Sequence, residues 1–175
     1  MTRLPELFAT LPAVFAASYD PERPWVLLDA PIEQLLAALP SAEILGRVHP
    51  GAHLLGDRIF LGKGTRIAPG AVVEGPVWIG EDVEIRVGAY LRGGCWVGDG
   101  CVVGANVEMK RAILFPGAHA AHLNYVGDSI LGRDVNLGAG VILSNFRHDG
   151  QEIRIPAGIG DGERRKQTQR IHFFA

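Results

Sequence analysis

Two cations, Arg92 and Lys110, stand eighteen residues apart inside a stretch whose apolar residues return every sixth position. If three six-residue segments make one turn of a coil, the two lie in adjacent turns, about 5 Å apart. Like charges at that distance repel unless an anion lies between or above them. Two readings stay open: an anion site, or a surface ion ladder in which Glu74, one turn earlier, pairs with Arg92. Downstream, His122 is the candidate general base, because an imidazole accepts a proton near neutral pH. The alternative is an ordinary surface or corner histidine. His119 and His122 do not have a metal-ligand spacing, and His49 and His53 lie several turns away, so no metal site is expected.

The elements that position these residues follow from the repeat. Leu61, Ile67, Val73, Ile79, Ile85, Leu91, Val97, Val103 and Met109 form an unbroken series of six-residue steps. A second small or aliphatic side chain follows each by four, and Gly, Asp, Asn or Pro stands between the two at most steps. Such a hexapeptide period reads as a parallel β-helix. Pro-Gly pairs at 50–51, 69–70 and 116–117 mark sharp corners. Five turns can be counted from Leu55, with one-residue slips between 109 and 114 and between 126 and 131. A slip re-aims side chains as a bulge does, and His122 lies between the two.

The expected organisation is a helical N-terminal cap over 1–43, a β-helix over 44–155 and a basic, non-repeat tail over 156–175. In the first segment Asp29 can cap a helix opened by Pro31, with Ile32, Leu35, Leu36 and Leu39 on one face. Trp25 to Leu28 reads as a short strand or a joint between helices. An open β-helix end exposes apolar residues and strand edges, so this segment is expected to cover it. Cys95 and Cys101 take inward positions and are expected to be reduced core residues. Net charge of -2 gives no reason to expect nucleic acid or an anionic membrane as partner. No apolar run approaches the ~20 residues of a membrane span, and a cytoplasmic location is expected.

The stretches "YLRGG", "ANVEMKRA", "HLNYVGDSILGRDVNLGAG" and "ILSNFRHDG" resemble a known family. They are similar to the C-terminal acetyltransferase domain of bifunctional N-acetylglucosamine-1-phosphate uridyltransferase/glucosamine-1-phosphate N-acetyltransferases, within the hexapeptide-repeat acyltransferases. The resemblance implies a left-handed coil and a homotrimer with sites in clefts between neighbouring coils. It implies that Arg92 and Lys110 grip the phosphate of an amino sugar phosphate and that His122 takes a proton from its amine. Tyr125 and Asn136 would orient the sugar or phosphate, and Asn145 would hold the amine near the thioester. The backbone at Ala139 would lie against the acetyl group of acetyl-CoA, the implied co-substrate.

The chain departs from that family in two places. Phe146 stands where a Tyr is usual, and the loop "NFRHDGQEIRI" resembles that of related sugar-phosphate nucleotidyltransferases instead. After Ile155 the period dissolves, where the family continues with turns that supply much of the acetyl-CoA site. Glu163, Arg164, Arg165, Lys166 and Arg170 make a mainly basic tail, readable as a frayed end, a substitute cap or an arm for CoA phosphates. The chain therefore reads as an acetyltransferase-like enzyme. The alternatives are a sugar-phosphate or sugar-nucleotide binding module lacking the CoA turns, or a structural β-helix.

Overall fold

The computed structural model describes residues 12–20, 23–144 and 148–149, with the backbone alone at 154–155 and 164–165. Eighteen short strands wind into six turns of a parallel β-helix, left-handed as the resemblance to hexapeptide-repeat acyltransferases implies. Each turn contributes one strand to each of three six-stranded parallel faces. The first face runs from Ala42–Ile44 through Ile59–Leu61, Val77–Ile79, Cys95–Val97 and Ile113–Leu114 to Ile130–Leu131. The second starts at Arg47–Val48 and ends with His119–His122 and Asn136–Leu137. The third starts at His53–Leu55 and ends with Tyr90–Leu91, Glu108–Lys110, Tyr125–Gly127 and Ile142–Leu143. A turn thus precedes the five countable from Leu55, and it begins at Ala42.

Register shows where the period holds and where it slips. Ile59 pairs with Val77 and Val77 with Cys95, eighteen residues at each step. Trp96 pairs with Ile113, and Ile113 with Ile130, seventeen residues at each step. The missing residue falls at the corner Lys110 to Ile113 and again at Gly127 to Ile130. Arg111 and Asp128 turn those corners with φ of 47° and 45°.

Inside, Leu61, Ile79, Ile85, Leu91 and Met109 belong to one continuous core of fully buried side chains. The only polar group among the inward repeat positions traced above, Thr65, is satisfied. Its hydroxyl donates to the Gly80 carbonyl at 2.7 Å and accepts from the Val83 N–H at 2.9 Å. Cys95 and Cys101 are buried free thiols, and burial pushes both up to about 12. A thiol held protonated in this way is a packing residue.

Outside, the first face is apolar from its second strand onward, after Glu43 on the first. Phe60, Trp78 and Trp96 stack in register, with ring centroids 5.5 and 4.8 Å apart and planes within 6° of parallel. The N-terminal segment lies over this column. Its described residues form two 3-10 turns, Ala13–Phe15 and Pro24–Leu28, and the helix Ala30–Ala37. Phe15, Leu27, Leu28, Ile32 and Leu36 bury themselves against Trp96, Ile113, Phe115 and Ile130. Phe15 meets Trp96 edge-on at 5.1 Å.

That placement corrects the expectation of an end cap: the described part of the segment packs on the flank of turns four to six. The outward column of Trp96, Ile113 and Ile130 supplies the apolar area against which the segment buries itself. Of the two readings of Trp25 to Leu28, the joint between helices holds and the strand does not: Pro24–Leu28 is a 3-10 helix, since Pro at its start presets helical φ. One local expectation is corrected. Asp29 precedes the helix without a side-chain cap bond, because its carboxylate faces Arg111 at 3.4 Å.

Candidate functional site on the third face

Because alternate residues of each third-face strand point outward, the stacked turns build two outward columns. Val72, Tyr90, Glu108, Tyr125 and Ile142 pair in succession down one of them. In the other, Leu91 pairs with Val73 and Met109, so Arg92, one residue on, falls between Glu74 and Lys110. Lys110 pairs in turn with Gly127. The eighteen-residue spacing thus does bring Arg92 beside Lys110.

The ion partners differ from the expected ladder. Arg92 pairs with Glu108, Nη1 to Oε1 at 3.1 Å. Glu74 accepts a hydrogen bond from the Tyr90 hydroxyl at 2.8 Å. Glu74 is directly in line with Arg92, but the tyrosine in the neighbouring column reaches it and occupies its carboxylate. Glu108 strengthens the protonation of Arg92, and the bond to Glu74 pushes the Tyr90 phenol up. Two acids, Glu74 and Glu108, and two bases, Arg92 and Lys110, balance the formal charge of the patch. No ion pair among the described residues involves Lys110.

Tyr125 leans along its strand. A Cβ added to Gly127 would come within 2.6–2.9 Å of the Tyr125 ring and hydroxyl, so the phenol lies over Gly127, the register partner of Lys110. Glycine is needed there to make room for the ring. Arg92, Lys110 and Tyr125 accordingly share one surface.

His122 closes the second-face strand His119–His122 and sits at the corner leading to Tyr125. Its side chain is exposed, and its backbone is held at both ends. The N–H donates to Asn124 Oδ1 at 3.2 Å, and the carbonyl accepts from the Gly140 N–H at 3.2 Å. Asn124 is buried, and its amide also donates to the Gly138 carbonyl at 2.8 Å and the Val141 carbonyl at 3.3 Å. One side chain therefore locks two successive corners. Gly104 sits behind this strand, where a Cβ would fall 1.6 Å from the Ala121 carbonyl oxygen. Only glycine lets the strand carrying His122 come this close.

Ala139 is exposed in the turn after Asn136–Leu137, beside the Gly140 N–H that reaches His122. Asn136 belongs to the second face, paired with His119, and does not share the surface of Arg92, Lys110 and Tyr125. Asn145 lies outside the described residues, as do Phe146 and the greater part of the tail. Reading the sequence missed Tyr90, Glu108 and Asn124. The first two carry a signal, since each stands one outward step before Arg92 or Lys110. Asn124 stands at an inward position, where a polar residue must have partners. Among the described residues no group of three or more His, Cys, Asp or Glu could hold a metal ion, and no helix is long and apolar enough to cross a membrane.

Residues 76–111 match the family described as bacterial transferase hexapeptide (six repeats). The chain is a hexapeptide-repeat protein. It is 34% identical over 136 residues to a bifunctional sugar-1-phosphate nucleotidylyltransferase/acetyltransferase of Sulfurisphaera tokodaii, covering 78% of this chain and 33% of that protein. It is 41% identical over 120 residues to the bifunctional protein GlmU of Alkalilimnicola ehrlichii, covering 69% of this chain and 25% of that protein. The hexapeptide-repeat chain thus spans a quarter to a third of the length of these curated relatives. Among solved structures, PerB from Caulobacter crescentus, in complex with CoA and GDP-perosamine, is 25% identical. The overlap covers 58% of this chain and 53% of that one at a TM-score of 0.36, too loose to bear on the chemistry.

Proposed function

We propose that this hexapeptide-repeat protein transfers an acetyl group from acetyl-CoA to the amine of an amino sugar phosphate, with glucosamine 1-phosphate the first acceptor to test. The carrying observation is the third-face surface that sets Arg92 beside Lys110, with Tyr125 leaning toward them and His122 on the adjoining corner. The name of the S. tokodaii relative, sugar-1-phosphate nucleotidylyltransferase/acetyltransferase, fits an acceptor of this class.

In this reading Lys110 and Arg92 take the phosphate dianion, and Tyr125 orients the sugar with its hydroxyl. His122 accepts the proton that the amine sheds as its nitrogen bonds to the thioester carbonyl carbon. The C–S bond then breaks and CoA leaves as its thiol, taking up the proton that His122 received from the amine. Backbone N–H groups near Ala139 and the side chain of Asn145 stabilise the oxyanion. Asn136, on the second face, serves the site of a neighbouring coil in a homotrimer.

The test is thiol release from acetyl-CoA in the presence of glucosamine 1-phosphate. His122→Ala is expected to lower kcat by about 10²–10⁴-fold, the usual loss of a general base, with the thermal unfolding midpoint unchanged. No turnover with retained sugar-phosphate binding would leave a binding module, and loss of both would leave a structural coil.

A further inference from the structure

The corner that carries Lys110 into the first face is built unusually. Arg111, the next residue, has φ of 47°, a conformation that side chains other than Gly, Asn and Asp seldom adopt. Such a residue persists where its contacts over-determine it, and here they do. Nη2 of Arg111 donates to the Leu28 carbonyl at 2.9 Å and lies 3.4 Å from Asp29 Oδ1. Nε lies 3.2 Å from Oδ1 of Asp128, a carboxylate with no solvent exposure, without the alignment of a hydrogen bond, so this contact is an ion pair. The Asp128 N–H in turn donates to the Lys110 carbonyl at 2.9 Å. Gly94, one turn earlier, leaves room for the arginine: a Cβ there would stand 2.9 Å from Arg111 Cγ.

These contacts form a short chain. The last carbonyl of the 3-10 turn Pro24–Leu28 is held by Arg111, Arg111 holds the buried Asp128, and Asp128 holds the backbone of Lys110. We propose that the N-terminal segment is a clamp on the third-face anion site, with Arg111 as the positioning residue that couples the two. The inference rests on Arg92 and Lys110 being that anion site; it does not require that acetyl transfer occur. A phosphate seated between Arg92 and Lys110 fixes Lys110, and the fixed corner favours the docked segment. By linkage the docked segment favours the anion to the same degree.

The experiment is amide hydrogen exchange on the full chain, with and without glucosamine 1-phosphate and, separately, inorganic phosphate. Saturating ligand is expected to slow exchange of amides in 24–37 several-fold in the wild type and not in Lys110→Ala. Arg111→Met is expected to abolish the effect and raise KM for the sugar phosphate about tenfold, with kcat and KM for acetyl-CoA kept. Arg111→Lys should restore part of it. Should Arg111→Met fail to fold, because it removes the cation paired with a buried carboxylate, Asp128→Asn cuts the same ion pair while keeping the N–H to Lys110. Ligand binding without slowed exchange, unchanged affinity in Arg111→Met or Asp128→Asn, or no binding of either phosphate probe would overturn the proposal. Slowed exchange without thiol release would sink the acetyl-transfer reading alone, and thiol release without slowed exchange would sink the clamp alone.

Discussion

The first and third faces of the coil share one inward core and differ in what they turn outward. On the first face the outward column reads Phe60, Trp78, Trp96, Ile113, Ile130, and the chain's own N-terminal segment covers its later part. On the third it reads Val72, Tyr90, Glu108, Tyr125, Ile142, with Glu74, Arg92 and Lys110 alongside, and it stays open among the described residues. Inward residues are interchangeable between faces, since Leu61 on one does the same work as Leu91 on the other. A β-helix therefore separates two problems that a globular core mixes. The inside decides that the coil forms, and the outside decides what each flank binds.

The largest expected effect breaks the covered flank. Trp96→Ala removes a ring that touches Phe15 and Trp78 and is buried by the N-terminal segment. It should cost about 3–5 kcal/mol of unfolding free energy, measured in denaturant. Tyr90→Ala, in the open third-face column, should leave the same curve nearly in place. Equal losses would erase the distinction between the two flanks. The next effect belongs to the core both faces share. Cys95 and Cys101 have thiols raised by burial from 9.0 to about 12. Between those values the unfolded chain has shed its thiol protons and the folded one has not. Stability is therefore fully present below pH 9 and falls as pH rises toward 12. The loss should reach roughly 1 kcal/mol per thiol by pH 10, and it should vanish in a Cys95→Ala, Cys101→Ala double variant.

How much of this was legible in the sequence follows from the same division. The coil and its slips are visible because every inward position obeys one period, and a missing residue shifts everything after it. The neighbourhood of Arg92 and Lys110 is visible for the same reason, since register converts spacing into distance. Partner choice on the surface is not. Glu74 is in line with Arg92, yet the side chain that reaches it belongs to Tyr90, and Arg92 turns to Glu108. Such choices depend on rotamers, which a period does not encode. The seat of the N-terminal segment was illegible too, because Trp96, Ile113 and Ile130 read as unremarkable outward residues until an apolar helix is laid over them. Asn136 shows the opposite case: a role implied by resemblance, on a face that its own coil turns away from the rest.

Two smaller effects sharpen the picture of the open flank. Lys110→Ala should raise KM for the sugar phosphate about tenfold, the scale of one charge-assisted contact to an anion, without moving the thermal midpoint. An equal loss of stability would make Lys110 a structural residue and return the third face to a plain ion ladder. Smaller still is Tyr90→Phe, which removes only the hydroxyl that occupies Glu74. The freed carboxylate then competes with the ligand for Arg92 and Lys110, so KM should rise by roughly twofold, in keeping with a solvent-exposed charge contact. The pH dependence gives this last test its sign. Because the bond to Glu74 pushes the Tyr90 phenol above its ordinary value of 10.0, the hydroxyl keeps its proton and its hold on Glu74 through that value. The difference between wild type and Tyr90→Phe should therefore persist through pH 10 and disappear only as the raised phenol ionises. A difference already lost near neutrality would mean that Glu74 is held by something other than Tyr90.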